Sequence, residues 1–237
     1  MPETVTARGQ HIRRTDPTAA VAVARLISLA FTPLAVSRWL VPDTAARSAI
    51  LPAFFRILVD HALTAGTVYT TADGLAAAVW LPVTAAGPAV EPDNYEARLR
   101  AVSGQWADRF LTFEAALARR RPRASYHYLA LLAVHPRVHD RGRGSALLVH
   151  HQTKLDATGL GAYLEATDAR ASKLFARHGY RTMDPGPFRL PDGGPPVRPM
   201  WRPPAQVAFG RPTAPYLLTS PYPPAAAHPP TAPRTAP

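Results

Sequence analysis

The stretch Leu131–Leu148, which reads LLAVHPRVHDRGRGSALL, decides the fold of this chain. Its first residues, LLAV, form a short apolar run that is typical of a buried strand. Pro136 ends that strand, because proline has no N–H to donate to a neighbouring strand. Gly142 and Gly144 give the basic loop that follows backbone freedom, and a helix is predicted from Ser145. The stretch therefore predicts a strand, a tight loop and a helix in succession.

The loop in this stretch predicts an anion site. Free N–H groups at a helix N-terminus attract phosphate, and Arg141 and Arg143 add positive charge there. The dinucleotide fingerprint is excluded because Leu147 stands where its third glycine belongs. The mononucleotide P-loop is excluded because the sequence has no Gly-Lys-Ser/Thr ending here. A different phosphate or pyrophosphate ligand remains, and the alternative is a strand-to-helix turn that binds nothing.

A second stretch, residues 162–180, predicts another strand and helix. It reads AYLEATDARASKLFARHGY. Its first five residues are predicted to form the strand. Asp168 or Thr167 is predicted to cap the helix that follows, and Gly179 to end it.

The two stretches resemble motifs of the GNAT N-acetyltransferase superfamily. The first has that family's Val-x-Pro at Val134 and Pro136 and its Gly-x-Gly at Gly142 and Gly144. His139 stands where the family usually has Gln or Arg. The second stretch matches the family pattern at four positions, which are Glu165, Arg170, Gly179 and Tyr180.

The resemblance covers roughly residues 15–203 and points to the puromycin N-acetyltransferase branch. Ala171 and Phe175 depart from it, because the family has Asn and Tyr at these positions. A tyrosine at the second position could protonate the departing thiolate, and phenylalanine cannot. The resemblance therefore implies a slower enzyme or one with a different acid.

The fold implied by the resemblance is mixed α/β. Its central sheet is mixed and mainly antiparallel, splayed between two strands and flanked by helices on both faces. We expect strands 126–134 and 162–166 to separate after Val134. The implied activity is transfer of an acetyl group from acetyl-CoA, as cosubstrate, to a primary amine of a small molecule by direct attack, without a metal. The residues expected to bind acetyl-CoA are Leu132, Ala133, Val134, His139, Asp140, Arg141, Gly142, Arg143, Gly144 and Ser145.

Glu165 and Tyr128 are the predicted catalytic residues. Glu165 lies on the second strand close to the expected separation, where a carboxylate could take the amine proton. The alternative is that Glu165 only orients the substrate or pairs with a basic residue. Tyr128 is a candidate to protonate the thiolate, and the sequence does not rank it against Tyr163 and Ser172.

The remaining elements follow from apolar periodicity and capping residues. Helices are predicted from Asp16-Pro17 onward and over residues 44–65, 92–120, 145–158 and 169–178. Strands are predicted over residues 67–71, 75–81, 126–134, 162–166, 180–183 and 197–201.

Three segments are predicted along the chain. Residues 1–14 are expected to be a flexible N-terminal segment, and residues 15–203 a single acetyltransferase domain. Residues 204–237 are expected to form a disordered tail, because 11 of the last 35 residues are proline and no acidic residue follows Asp192.

Composition excludes several protein classes. The 237-residue chain has no cysteine, so it has neither disulfides nor a cysteine nucleophile. The N-terminal sequence MPETVTARGQHIRR lacks the apolar core of a signal peptide. The uncharged apolar stretch at residues 75–90 is short and contains Pro82, Gly87 and Pro88, so it does not suit a membrane span. We expect a soluble, cytoplasmic protein without a membrane partner, as a monomer or a homodimer.

The net charge of +11 raises the question of nucleic acid. The cluster Arg119-Arg120-Arg121 with Arg123 is the candidate surface, but no stacking aromatic residues interleave with it. We interpret it as a solvated helix end and predict no nucleic-acid partner. The histidine spacings do not suit a metal pair, which leaves no predicted metal ligand.

Two alternatives to the enzyme remain from sequence alone. The first is a catalytically weak or inactive CoA-binding regulatory domain of the same fold, which Ala171 and Phe175 favour. The second is a nucleic-acid-binding protein that uses its basic face, and it predicts binding with a steep salt dependence.

Overall fold

The computed structural model describes residues 5–7, 10–85 and 92–205. The strands are β1 (Val5–Ala7), β2 (Gln10–Arg14), β3 (Thr67–Thr71), β4 (Ala76–Val83), β5 (Tyr126–Val134), β6 (Gly161–Ala166), β7 (Arg181–Thr182), β8 (Phe188–Arg189) and β9 (Pro196–Arg202). The α-helices are α1 (Ala20–Phe31), α2 (Ala35–Leu40), α3 (Thr44–Ala65), α4 (Tyr95–Ser103), α5 (Ala107–Ala118), α6 (Arg143–Thr158) and α7 (Ala169–Arg177). Short 3-10 turns occupy Pro17–Ala19, Gly104–Trp106 and Pro136–Val138.

The strands form one nine-stranded sheet in the order β1-β2-β3-β4-β5-β6-β9-β7, with β8 paired to β9. The β5–β6 pair is parallel, and the other paired strands among the described residues are antiparallel. This arrangement confirms the predicted mixed, mainly antiparallel sheet.

Capping residues explain why several helices have the predicted bounds. The Asp43 carboxylate accepts a hydrogen bond from the Ala46 amide at 2.6 Å and begins α3. The Asp168 carboxylate does the same for α7 through the Ala171 amide at 2.8 Å. Helix α3 ends at Gly66, where a Cβ atom would lie only 2.2 Å from the Trp80 carbonyl oxygen.

The single helix predicted over residues 92–120 is wrong. The structure has α4 and α5 instead, separated by the 3-10 turn at Gly104–Trp106. Gly104 has a φ of +53°, which a helix interior does not accommodate. The apolar periodicity on both sides of this glycine is correct, but the glycine redirects the chain. Helix α2 was not predicted.

The N-terminal segment is more ordered than expected. Strand β2 extends the sheet by pairing with β3, with Ile12 opposite Thr71, and the Ile12 side chain is buried. The expectation of a flexible segment through residue 14 is therefore wrong for Gln10–Arg14. Residues 1–4, 8–9, 86–91 and 206–237 lie outside the described residues, and so does nearly all of the expected tail.

Helices cover both faces of the sheet, as predicted. One buried cluster, which includes Leu51, Phe54 and Phe110, packs the five helices α1–α5 against one face of the sheet. A second cluster joins α6 and α7 to the other face through residues such as Leu147 and Phe175. By length and composition alone, α3 could cross a membrane, but core helices of soluble proteins pass the same test.

The parallel strands β5 and β6 separate earlier than predicted. Their register pairs Tyr126 with Gly161 and ends where Tyr128 faces Tyr163. Beyond that point β5 stays paired to β4 as far as Val134, and β6 stays paired to β9 as far as Ala166. Each strand follows its outer neighbour, so a wedge opens after Tyr128. The predicted separation after Val134 is wrong by six residues.

A bulge accompanies this opening. The register of β4 with β5 shifts so that Val79 faces Leu131 and Trp80 faces Leu129. Ala130 is therefore the extra residue, and a bulge of this kind leaves its backbone outside the regular pairing. The free edge of β5, residues 129–134, faces the wedge.

Candidate active site

The wedge between β5 and β6 opens into a cavity of about 1320 Å³. Typical small-molecule pockets measure about 300–1,000 Å³, so this cavity has room for more than one ligand. One part, here called the loop arm, is lined by residues 138–140, residues 142–145 and α7. The other, here called the helix arm, is lined by α1, α3 and α5. The free edge of β5 and Glu165 of β6 lie between them.

The loop arm presents the N-terminus of α6. Gly142 caps this helix with a φ of +75°, and the Ala146 amide donates the first intrahelical hydrogen bond to the Gly142 carbonyl at 2.9 Å. The amides of Arg143, Gly144 and Ser145 precede this donor and point out of the helix end. Three consecutive donors at the positive end of a helix dipole form an anion-binding surface.

Gly144 lets α6 pack close to its neighbours. A Cβ atom at this position would lie 3.4 Å from Leu174 Cδ2 and 3.5 Å from Val134 Cγ2. Gly142 differs, because a Cβ atom there would meet nothing within 4 Å and only its positive φ requires glycine. The two glycines of the predicted motif thus serve different purposes, one for packing and one for the backbone turn.

His139 and Asp140 are held by α7. The Arg170 guanidinium lies 3.0 Å from His139 Nδ1 and 2.8 Å from the Asp140 carboxylate. Because a guanidinium only donates, Nδ1 accepts, and His139 Nε2 then donates to the Val134 carbonyl at 3.0 Å. The histidine at the family's Gln or Arg position therefore braces the loop between β5 and α7.

The two arginines of the predicted loop have different surroundings. Arg143 lines the cavity, but its guanidinium donates to the Asp73 carboxylate at 2.6 and 3.0 Å. Burial tends to raise the pKa of Asp73, and hydrogen bonds from Arg143, Thr71 and the Leu75 amide outweigh it and lower that pKa to about 2. Arg141 is exposed and does not line the cavity. The side chains of Arg170, Lys173 and Arg177 on α7 line the loop arm instead.

The β5 residues expected to bind acetyl-CoA lie on the free edge. Leu132 and Val134 line the cavity, whereas Ala133 is buried in the core on the other side of the sheet. Ser145 lines the cavity as well, and its hydroxyl lies 2.9 Å from His178 Nε2.

Glu165 and Tyr128 meet at the wedge, where the Tyr128 hydroxyl is hydrogen-bonded to the Glu165 carboxylate. Burial raises the pKa of Glu165, while Arg121 and hydrogen bonds from the Tyr128 and Tyr163 hydroxyls oppose that shift. One carboxyl oxygen of Glu165, Oε1, is buried without a hydrogen-bond partner among the described residues. Burial and the nearby carboxylate raise the pKa of Tyr128 well above its ordinary value, so its hydroxyl stays protonated. The pair combines a proton acceptor with a proton donor.

Arg121 is the site residue that the sequence analysis missed. Its guanidinium lies over the Tyr128 ring at 4.8 Å and acts electrostatically on Glu165. The cluster interpreted as a solvated helix end is therefore split, because Arg120 packs over Phe188 at 5.1 Å. Arg121 lies three residues beyond Ala118, the last residue of α5, so helical spacing did not identify it.

The other candidate acids lie less favourably than Tyr128. Tyr163 is fully buried and does not line the cavity, and its hydroxyl lies 3.5 Å from the Arg120 carbonyl. The Ser172 hydroxyl donates to the Asp168 carbonyl at 2.9 Å. Phe175 lines the cavity and packs edge-on against Tyr180 with ring centroids 5.8 Å apart.

Among residues 5–7, 10–85 and 92–205, no group of three or more His, Cys, Asp or Glu side chains is placed to hold a metal. The paired histidines serve the core instead. His151 stacks on Trp80 with ring centroids 4.1 Å apart, and its Nε2 lies 2.9 Å from His127 Nδ1.

Comparisons with solved structures identify the fold of the chain. No protein-family profile and no curated protein sequence matches the chain. Solved structures do match. One is a Corynebacterium glutamicum protein described as "histone acetyltransferase HPA2 and related acetyltransferase", with 24% identity, a TM-score of 0.64, and coverage of 88% of this chain and 100% of that one. The chain has the GNAT fold.

Two further GNAT-fold structures come from insects. The Drosophila melanogaster polyamine N-acetyltransferase is 16% identical over 85% of this chain and all of its own, with a TM-score of 0.57. The Aedes aegypti arylalkylamine N-acetyltransferase 2 is 10% identical over 83% of this chain and 99% of its own, with a TM-score of 0.57. The structural neighbours are N-acetyltransferases with different substrates. The puromycin branch stays a prediction.

Proposed function

We propose that this chain is an acetyl-CoA-dependent N-acetyltransferase that acetylates a primary amine of a small molecule in the cytoplasm. The observation that carries the proposal is the pairing of Glu165 with Tyr128 at the wedge. The pair lies between an anion-binding helix end and a second, apolar arm of the same cavity. This placement suits a reaction between two ligands that enter from opposite arms.

The loop arm and the free edge of β5 would hold the cosubstrate. The amides of residues 143–145 suit the pyrophosphate, and Arg170, Lys173 and Arg177 supply positive charge around it. The backbone of residues 129–134 offers donors and acceptors to the amides of the pantetheine arm and a donor to the thioester oxygen. His139, Asp140 and Arg143 would act by holding the loop.

In the proposed reaction the amine nitrogen bonds to the thioester carbonyl carbon and the C–S bond breaks. Glu165 accepts the proton that the amine loses, since its Oε1 is buried and unpaired among the described residues. Burial raises the pKa of Glu165, which makes it a stronger base than an exposed carboxylate.

Tyr128 supplies a proton to the sulfur in this scheme. Its hydroxyl is hydrogen-bonded to Glu165, so the proton taken from the amine can replace the one that Tyr128 donates. One proton leaves nitrogen, one arrives at sulfur, and both residues return to their starting states. Phe175, which has no hydroxyl, is not needed for the cycle.

A regulatory CoA-binding domain is the second candidate function. Phe175 favours it, because this residue lines the cavity where the family has a tyrosine. The two functions share the loop arm and differ in chemistry. Release of free CoA thiol in the presence of an amine would exclude the regulatory alternative.

Calorimetry with acetyl-CoA tests the proposal on the wild type, Gly142→Glu and Gly193→Glu. Gly193 is a matched control, because its φ is +70° against +75° for Gly142 and neither Cβ would meet an atom within 4 Å. Both variants carry the same strain and charge, but only Gly142 lines the cavity. We expect binding to be lost in Gly142→Glu alone. Absence of binding by the wild type would overturn the proposal.

A further inference from the structure

The walls of the helix arm are apolar and rich in aromatic rings. Phe31 and Phe55 meet edge-to-face with centroids 5.2 Å apart, and Phe54 lies 5.2 Å from Phe55. Other apolar side chains complete the wall: Leu34, Leu58, Leu111 and Phe113. The ring of a bound ligand could form further edge-to-face contacts with these side chains, and such contacts are favourable.

Several side chains of this wall are only partly covered by the rest of the protein. Phe31, Leu58, Leu111 and Phe113 are half-buried at the border of the core and line the cavity. Water against such surfaces is unfavourable, and an apolar ligand that displaces it is stabilised by burial. The helix arm therefore favours an apolar body of about ring size.

The charges around the helix arm favour a cation over an anion. Two carboxylates line the cavity here, Glu165 at the wedge and Glu114, which accepts a hydrogen bond from the Tyr95 hydroxyl. Arg121 is the guanidinium at this end, and it already faces Glu165 and the Tyr128 ring. His61 lies on the same wall. A ligand carboxylate would meet two like charges, which disfavours it.

We propose that the acceptor is a primary amine joined by a short chain to an uncharged ring, with no anionic group. The ring would occupy the helix arm between Phe31 and Phe113, and the amine would reach Glu165. The inference rests on the proposed function, because it names the substrate class of that same site. The reaction yields the N-acetylated amine and free CoA, with one proton leaving nitrogen and one arriving at sulfur.

A panel of three amines tests the substrate class, with release of CoA thiol as the readout. 2-Phenylethylamine has the ring and amine, phenylalanine adds a carboxylate, and putrescine has amines without a ring. We expect kcat/KM for 2-phenylethylamine to exceed the values for both other amines by at least about tenfold. Putrescine would leave the apolar pocket unfilled, and phenylalanine would bring its carboxylate close to Glu165 and Glu114.

The variants Phe113→Ala and Phe188→Ala locate the ring. Phe113 lines the helix arm, whereas Phe188 is half-buried in β8 and does not line the cavity. We expect Phe113→Ala to raise KM for 2-phenylethylamine by about tenfold. Phe188→Ala should leave it unchanged. Acetyl-CoA calorimetry on each variant checks that the protein is folded and the loop arm intact.

The outcomes separate this inference from the proposed function. Acetyl-CoA binding with equal or better turnover of putrescine or phenylalanine would overturn the inference and leave the proposed function standing. Binding without acetylation of 2-phenylethylamine would also overturn the inference. Equal changes in KM for 2-phenylethylamine in Phe113→Ala and Phe188→Ala would show that the ring of the substrate does not bind in the helix arm. Failure to bind acetyl-CoA would overturn the proposed function and this inference with it.

Discussion

The two arms of the cavity are built in different ways. The loop arm combines a continuous loop, residues 138–145, with α7, which braces that loop through Arg170. The centre beside the helix arm combines Tyr128 of β5, Glu165 of β6 and Arg121 of the segment between α5 and β5. These residues surround a wedge that arises because β5 and β6 each stay paired to their outer neighbours. Local segments therefore determine where phosphate would bind, and sheet topology determines where chemistry would occur. The variants below test whether the two can be separated.

Glu165→Gln is expected to have the largest effect, because it removes the proposed base while preserving shape. Turnover should fall by about 10² to 10⁴, the usual contribution of general base catalysis. Acetyl-CoA affinity should not change, since Glu165 lies outside the loop arm. Steady-state kinetics and calorimetry on the same preparation check both expectations.

The pH profile shows whether Glu165 is a base or only orients substrate. A base works deprotonated, so kcat/KM of the wild type should rise with pH through a pKa above the ordinary value of 4.5. Burial is the main cause of that upward shift. Glu165→Gln should lose this limb of the profile. A variant that keeps the limb would show that Glu165 has an orienting role only.

Tyr128→Phe and Phe175→Tyr form the next comparison, because they remove and add a hydroxyl in the same cavity. Loss of the Tyr128 hydroxyl should lower kcat by about 10²-fold if it protonates the sulfur. Phe175→Tyr should raise turnover and partly restore Tyr128→Phe in the double variant. Unchanged kcat in Tyr128→Phe with a gain in Phe175→Tyr would mean that the acid normally comes from elsewhere.

The same contrast between local and assembled features explains what the sequence predicted. Strand 126–134 and helix 44–65 were predicted with the observed bounds, because apolar periodicity is a local signal. The wedge was predicted after Val134 and begins after Tyr128. Its position depends on the pairing of β5 with β4 and of β6 with β9. No local pattern contains that information.

Site residues follow the same rule. Gly142 and Gly144 belong to one motif and appear together in the structure. Arg121 escaped notice because its sequence neighbours are also arginines, and only the folded structure shows that Arg120 packs over Phe188 while Arg121 lies over Tyr128. Asp73, which holds Arg143, is 70 residues away in sequence and comes near through the β3–β4 hairpin.

Acid should destabilise the protein through the His127–His151 pair, which lies outside the cavity lining. Burial, with His127, Lys154 and His150 adding to it, lowers the pKa of His151 from 6.5 to about 3. Burial also lowers the pKa of His127. The unfolded chain therefore binds protons that the folded chain refuses, and stability falls as pH drops from 6.5 toward 3.

Denaturant unfolding of the wild type and His151→Phe across this pH range measures the effect. Phenylalanine keeps a ring on Trp80 and has no group to protonate. The variant should lose less stability than the wild type between neutral and acid pH, whatever its stability at neutral pH. Parallel pH curves for the two proteins would contradict the assignment. Because the pair lies outside the cavity lining, acetyl-CoA affinity at neutral pH should not change.

Asp73→Asn is expected to have the smallest effect, and it tests whether the loop arm depends on a distant turn. The substitution removes the charge that holds Arg143, so stability at neutral pH should fall by about 1 kcal/mol. The Asp73 side chain is 36% exposed, and solvent screening keeps the effect this small. Asp60→Asn is the control, because the Asp60 side chain is similarly exposed at 34%. Its partner Arg56 is 40% exposed against 12% for Arg143, so the pair on one helix is worth less than about 0.5 kcal/mol. Since Arg143 begins α6, acetyl-CoA affinity should fall a few-fold in Asp73→Asn and not in Asp60→Asn. An unchanged affinity would mean that the N-terminus of α6 keeps its geometry without this ion pair. Acetyl-CoA binding by the loop arm would then not depend on the distant turn that holds Asp73.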